Sequence, residues 1–291
     1  MTGPILAQEM GVSRRLMPMP AIPAPGLLIG GAIGLALAAM LGLVGAGLVH
    51  EHVAPAQRLL APGTLDHPLG TDQLGRDVLA RTLEGFRWSL AVVVPATAIA
   101  ALVGTMLGLA AAANGGWTRT ILESLTESAA GFPFFVLAAP IIALVGRGYG
   151  PLLVVLAILS SAPFTLAVFD STWGGRYPIP LTPAFYAVRT ALPVVSAFML
   201  ADLVVAEACL SFLGVGAPPA APSWGNMLAD ARQSLTAAPW LLYTPATALL
   251  LTVVSANWFG EGLGQLWTPS ARSSLEIWRF HEDPGLGGPV Q

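Results

Sequence analysis

The sequence predicts an all-α membrane protein with six transmembrane helices, and three observations predict it. Of 291 residues, 55% are hydrophobic and only 10% charged, against roughly 25% charge in an ordinary soluble domain. The apolar residues gather into six nearly uncharged runs, and the separators between them hold nearly all the charge. Mean hydropathy is +0.71, and a bilayer core asks for about 20 apolar residues per helix, so six spans would use roughly half of such a chain. The runs are continuously apolar instead of alternating, which points to helices and away from a barrel.

Residues 1–25 form an N-terminal arm in which Arg14 and Arg15 precede Pro18, Pro20, Pro23 and Pro25. Ser13-Arg14-Arg15-Leu16 resembles a twin-arginine export signal in outline, but the run that follows, residues 26–49, is too long for a cleavable apolar segment and right for a first span. That span carries small residues every four positions: Gly26, Gly30, Gly34, Ala38, Gly42 and Ala46. Such a ribbon lets another helix approach closely where lipid supplies no hydrophobic drive. Arg14 and Arg15 beside the first span favour a cytoplasmic N-terminus, although the remaining Arg residues are split almost evenly between the two sides.

Residues 50–87 form an outer connector. Within it Leu79, Leu83, Phe86 and Leu90 repeat at helical spacing, Asp77 and Arg81 stand four apart, and Thr71 or Asp72 can cap the start. This predicts an amphipathic helix lying along the interface and feeding the second span. The further spans are predicted at residues 88–113, 128–146, 149–169, 190–216 and 240–260, giving a five-helix core over 88–264 and a tail over 265–291. Gly104 and Gly108 repeat the small-residue spacing in the second span. Trp224, Trp240 and Trp258 near span ends are expected to be interfacial anchors.

The residue inventory excludes several functions. There is no Lys, so there is no phosphate loop of the GxxxxGK[ST] type and no Schiff-base lysine. Net charge is −3 with no basic cluster, which excludes nucleic acid as the expected partner. Cys209 is the sole cysteine, so no internal disulfide can form. His50, His52, His67 and His281 all lie outside the apolar runs, against haem held between spans. His50-Glu51-His52 reads as a wet cap on the first span, with no fourth ligand for a metal. A membrane-embedded hydrolase would need a nucleophile with a positioned partner, and no GxSxG occurs.

Two carboxyl groups fall inside the fifth run. A charge at membrane depth costs about 2.5–3.5 kcal/mol on insertion scales. Asp202 and Glu207, five residues apart, differ by about 140° around a helix and cannot share one site. Either lines a polar cavity that meets cargo, or it is hydrogen-bonded between helices.

Four stretches, in order, carry a family resemblance. They are Gly70-Thr71-Asp72, Gly75-Arg76-Asp77 and Arg81; Glu207-Ala208 with Leu210 through Gly214; Pro222-Ser223-Trp224-Gly225-Asn226; and Asn257 with Gly260-Glu261-Gly262-Leu263. Over residues 64–270 the chain resembles the dipeptide/oligopeptide/nickel ABC-importer permeases, specifically their C-type subunit. The resemblance implies six helices with both termini cytoplasmic, in the bacterial inner membrane. It implies no cofactor on this chain: ATP and Mg belong to a partner ATPase. It also implies a second permease and an external binding protein. Cargo choice between peptides and nickel or a metal chelate is left open.

The chain departs from the family where spans four and five join. The family has a Tyr, an Ala pair and a Gly there, then Arg-His and Leu-Pro-Asn, forming a short helix that couples to the ATPase. Here Arg189 and Leu192-Pro193 remain, but the His, the Asn and the Ala pair are missing. Pro178, Pro180 and Pro183 argue against a regular helix over 170–186. Trp173, Arg176, Tyr177, Pro180, Phe185 and Arg189 are the residues expected to meet the ATPase by the resemblance. The altered loop leaves open a degenerate, non-transporting scaffold subunit.

Overall fold

Long apolar runs become long helices, and the few polar turns between them set the topology. The structure, a computed structural model, describes residues 24–48, 53–64, 66–114, 116–131, 134–172 and 181–267. Its helices are α1 (Ala24–Leu48), α2 (Val78–Asn114), α3 (Gly116–Gly131), α4 (Phe134–Val145), α5 (Tyr149–Leu159), α6 (Ser161–Thr172), α7 (Leu181–Phe212), α8 (Trp224–Ala231) and α9 (Trp240–Trp267). Among the described residues, strand-like pairing is confined to one isolated bridge between Thr71 and Asp77.

Four helical stretches are long and apolar enough to cross a bilayer: Val78–Ala113, Tyr149–Phe169, Val188–Phe212 and Trp240–Leu266. The second of these is α5 and α6 together, stepped at Ser160, whose N–H donates back to the Leu156 carbonyl at 3.1 Å. Shorter apolar helices occupy Pro25–Leu37 and Val136–Val145. The described part of the chain is therefore helical throughout its regular elements, as in a multi-pass membrane protein. Pro95, Pro140, Pro193 and Pro245 lie inside helices, as membrane helices tolerate when neighbours re-satisfy the freed carbonyls.

α2 is the central element. It packs on α5, α6 and α7, while α9 lies between α7 and α1. The core joins Val92, Val93 and Ala96 of α2 to Leu152 and Leu156 of α5, Leu203 and Leu210 of α7, and Trp224 and Met227 of α8. Small residues set the closest crossings. A Cβ at Gly104 would stand 2.6 Å from Phe164 Cβ, and one at Gly108 2.7 Å from Val168 Cβ, so α2 and α6 meet through the predicted pair. In α1 Gly30 faces Trp258 and Gly34 faces Ser255, which puts that part of the ribbon against α9. Gly31, outside the ribbon, makes the tighter approach to backbone: its Cβ would lie 2.7 Å from the Ser255 carbonyl.

Three expectations are corrected. Residues 78–87 are not a separate interfacial helix; they are the first turns of α2, and Val78, Ala80, Arg81, Thr82 and Phe86 are buried. Residues 181–189 are regular helix despite Pro183, because a proline in the first turn removes an N–H that has no partner inside the helix. The run at 128–146 is divided between α3 and α4. His50, Glu51, His52, Trp173, Arg176, Tyr177 and Pro180 lie outside the described residues.

Candidate functional site

The polar residues of the connector and of α8 gather at one end of the bundle, and the local chain explains how. Gly70 and Gly75 adopt positive φ, 78° and 76°, a backbone that L side chains rarely take. Between them the chain turns tightly enough for the Asp72 carboxylate to bond its own neighbours. Asp72 Oδ1 accepts from the N–H groups of Leu74 at 2.8 Å and Arg76 at 2.9 Å. Its Oδ2 accepts from Arg76 Nε at 2.7 Å and from the buried Arg81 Nη1 at 2.8 Å. Burial alone would raise the pKa of Asp72; the N–H groups of Arg76 and Leu74 and the Arg76 guanidinium outweigh it and hold the carboxyl below its ordinary 3.8.

Arg81 is therefore not the i,i+4 partner of Asp77. It bridges Asp72 and, at 3.8 Å, Asp230 of α8. Asp77 instead caps α2, accepting from the Ala80 N–H at 2.8 Å, and pairs with His67 Nδ1 at 2.9 Å. The cap thus falls to Asp77, because the Gly75 turn delays the helix past Thr71 and Asp72. Thr71 is buried and ties the connector to itself: its hydroxyl donates to the Gln57 carbonyl and accepts from the Leu60 N–H at 2.8 Å. Its carbonyl accepts from Trp240 Nε1 at 3.3 Å. Gln73 reaches across to the Asp230 carbonyl at 2.9 Å.

Trp224 is 1% exposed, so it is a core residue and not an interfacial anchor. Its Nε1 donates to the Thr82 carbonyl of α2 at 2.9 Å. Gly85 permits that contact, since a Cβ there would lie 2.7 Å from Trp224 Cδ1. Ser223 caps α8 by accepting from the Asn226 N–H at 3.1 Å. Gly225 lets the start of α8 lie directly on α7, where a Cβ would stand 2.6 Å from Ser211 Cβ. Trp240 is half-buried and bonded to the connector, whereas Trp258 is 45% exposed.

Glu207 is fully buried in α7. Its Oε2 accepts from Ser89 Oγ of α2 at 2.9 Å and its Oε1 from Ser211 Oγ at 2.8 Å. Ser211 Oγ in turn accepts from the Ala217 N–H at 2.9 Å. One carboxyl thereby joins α2, α7 and the turn leading to α8. Ser211 stands one helical turn from Glu207 and could be paired with it from spacing; Ser89, 118 residues away, could not. Arg81 and Asp230 are a further pair that spacing alone did not join.

Asp202 is a different case. It is exposed on α7 and, among the described residues, makes no hydrogen bond or ion pair. Asn257 on α9 is half-buried and donates to the Val253 carbonyl at 2.9 Å; Glu261 is exposed and accepts from Gln265 at 3.0 Å. Arg189 is exposed near the start of α7. Phe185 belongs to α7, but its side chain lies outside the description. Gly70, Thr71, Asp72, Gly75, Arg76, Asp77, Ser223, Trp224 and Gly225 are thus brought together at one end, while Asn257, Glu261, Asp202 and Arg189 stand apart.

No protein-family model matches the chain. Curated proteins do. The chain is 32% identical over 222 residues to a glutathione transport system permease protein of Pectobacterium atrosepticum, covering 71% of this chain and 74% of that one. It is 34% identical over 236 residues to a probable peptide ABC transporter permease protein of Sinorhizobium fredii, covering 75% and 79%. It is 30% identical over 234 residues to a dipeptide transport system permease protein of Alkalihalophilus pseudofirmus, covering 75% and 77%.

Proposed function

The chain belongs to the permease subunits of peptide-type ABC transport systems, and we propose that it forms half of the pathway by which an ATP-driven importer moves peptides inward. The observation that carries the reading is the match, along 70–75% of the chain, to permeases named for peptide, dipeptide or glutathione transport. The bundle supports it, since the segments of family resemblance lock α2, α7, α8 and α9 together at one end.

In this reading the chain has six spans: α1, α2, α3 with α4, α5 with α6, α7, and α9. Both termini are cytoplasmic, with residues 1–25 as an arm and 265–291 as a tail, in the inner membrane of a bacterium. A second, homologous permease supplies the other half of the pathway. A separate ATPase binds ATP and Mg, and an external binding protein delivers cargo onto the Asp72–Trp224 end. Residues 170–189 receive the ATPase's motion, with Trp173, Arg176, Tyr177, Pro180, Phe185 and Arg189 as its contact. Asp202 faces the pathway, and Glu207 holds its wall together.

The test is uptake of a mixed dipeptide library by cells with and without this chain, read by mass spectrometry. A reporter fused after Gln291 gives the topology in the same cells. Loss of dipeptide uptake on deletion, with the reporter active only in the cytoplasm, is the expected result. Loss of nickel uptake alone would move the cargo to the metal class. Full transport without the chain would make it a scaffold.

A further inference from the structure

Between Thr190 and Ser211 every residue of α7 is buried or half-buried except one, and that one is Asp202. Counting 1.5 Å per residue along the span Val188–Phe212, Asp202 stands roughly 15 Å from one end and 21 Å from the other. That is the middle of a bilayer core about 30 Å thick. A charge facing lipid at this depth costs about 2.5–3.5 kcal/mol on insertion scales. Leu, Ala or Val would avoid that cost at the same position. The exposed side of α7 therefore meets something other than lipid.

The helix register shows what shares that side. α7 and α9 run antiparallel: a Cβ added at Gly260 would lie 3.2–3.3 Å from Ala197 and Phe198, and one at Gly264 3.7 Å from Val194. At 100° per residue, Asp202 lies on the same side of this helix pair as Asn257 and Glu261, and Asn257 lies within about one turn of its level. Neither helix supplies a counter-charge: residues 190–212 and 240–267 contain no Arg, Lys or His. The contrast with Glu207 is direct. Where the chain uses a carboxyl to hold helices together, it buries it completely and gives it two hydroxyl donors. Asp202 has neither burial nor donors. A carboxylate in that state is suited to a partner that arrives and leaves.

We propose that Asp202 is a charge-selective subsite in the pathway wall, a mid-membrane carboxylate that receives the ammonium or guanidinium of passing peptide cargo and favours cationic over anionic peptides. The proposal rests on the peptide reading above. A pathway lined with one sign of charge concentrates ligands of the other, and every peptide with a free N-terminus brings one ammonium. Lys- and Arg-containing peptides bring a second, and Asp- or Glu-containing peptides bring an opposing charge. Discrimination should therefore be graded by cargo charge.

The experiment uses the whole importer in membrane vesicles, with the same binding protein throughout, and the mixed dipeptide library as probe. Wild type, Asp202→Asn and Asp202→Glu are compared. Asp202→Asn should lower uptake of Arg- and Lys-containing dipeptides about tenfold relative to Asp- and Glu-containing ones, the effect of one lost charge-assisted hydrogen bond. Asp202→Glu should keep the wild-type order, and both variants should yield normal amounts of assembled complex. An equal loss for all dipeptides, or loss of the assembled complex, would assign Asp202 to an ion pair with the partner permease and overturn the proposal. Failure of the wild type to import any dipeptide would overturn the peptide reading itself, and the subsite with it.

Discussion

Adding one methyl group at Gly31 should loosen α1 from the bundle. A Cβ there would press on the Phe259 amide and lie 2.7 Å from the Ser255 carbonyl and 2.8 Å from Phe259 Cα, all of them α9 backbone. Backbone has no rotamer to yield with, so the two helices must separate. Overpacking of a tight contact costs typically 1–3 kcal/mol. Alanine recovers up to about 1 kcal/mol of helix propensity over glycine. The expected net loss for Gly31→Ala is therefore about 1–2 kcal/mol. At Gly34 the obstacle is different in kind: the added Cβ meets only Ser255, whose Cβ would lie 2.8 Å away. Gly34→Ala should also destabilise, but Ser255→Gly should rescue it, with a coupling of about 1–2 kcal/mol in a double-mutant cycle. Ser255→Gly should not rescue Gly31→Ala, because the Ser255 carbonyl and the Phe259 backbone remain. The assay is reversible unfolding of the purified chain in mixed micelles. A neutral or stabilising Gly31→Ala, or equal rescue at both positions, would refute the packing of α1 on α9.

Three further outcomes can be checked on the same preparation or on the importer. Ser89→Ala removes one of the two hydroxyls on buried Glu207 and should cost about 1–3 kcal/mol, the range for leaving a buried polar group short of a partner; the same substitution in a Glu207→Ala background should cost less. The pKa of Asp72 is held below 3.8, so its ionised form stabilises the fold fully above that pH, and this contribution is lost as pH falls through the folded value. Asp72→Asn should therefore lower stability at neutral pH while flattening the acid limb of the stability curve; parallel acid limbs would place the connector's ion pairs elsewhere. Arg176→Ala with Tyr177→Ala should abolish cargo-stimulated ATP hydrolysis while leaving the subunit inserted, because aromatic and Arg side chains usually dominate such contacts; normal transport by the double variant would show that the partner permease does the coupling.

The sequence was most legible where one physical demand had one solution. A bilayer requires long apolar helices, so the four long spans could be read from composition. Close helix crossings require small residues, so Gly30, Gly34, Gly104 and Gly108 could be read from spacing. It was least legible where a residue type serves two environments. A Trp near a span end can sit at the interface or in a core; Trp224 is in the core because Gly85 and Gly225, far apart in sequence, both make room for it and its neighbours. The connector was misread for a related reason. Asp77 to Arg81 has ideal helical spacing, but Asp72 and Asp230 compete for the same guanidinium and are nearer to its buried head.

The two carboxyls of α7 show how far spacing reaches and where it stops. Their separation of about 140° followed from the helix alone, so it was already certain that they could not do the same work. Which one is structural depended on a hydroxyl on another helix, Ser89, and on a turn that brings the Ala217 N–H back to Ser211. Once those donors are placed, Glu207 is committed: moving it would strand two hydroxyls in the bundle, each costing about 1–3 kcal/mol if left unsatisfied. That commitment also fixes the rotation of α7 about its axis. A helix pinned by Glu207 on one side must hold Asp202 about 140° away, toward the side it shares with Asn257 and Glu261. The buried carboxyl is therefore what keeps the exposed one pointing off the packed face, and Ser89→Ala should disturb cargo-charge selection at Asp202 as well as stability. If selection were unchanged when the Glu207 tie is weakened, the orientation of Asp202 would have to come from the α7–α9 crossing alone.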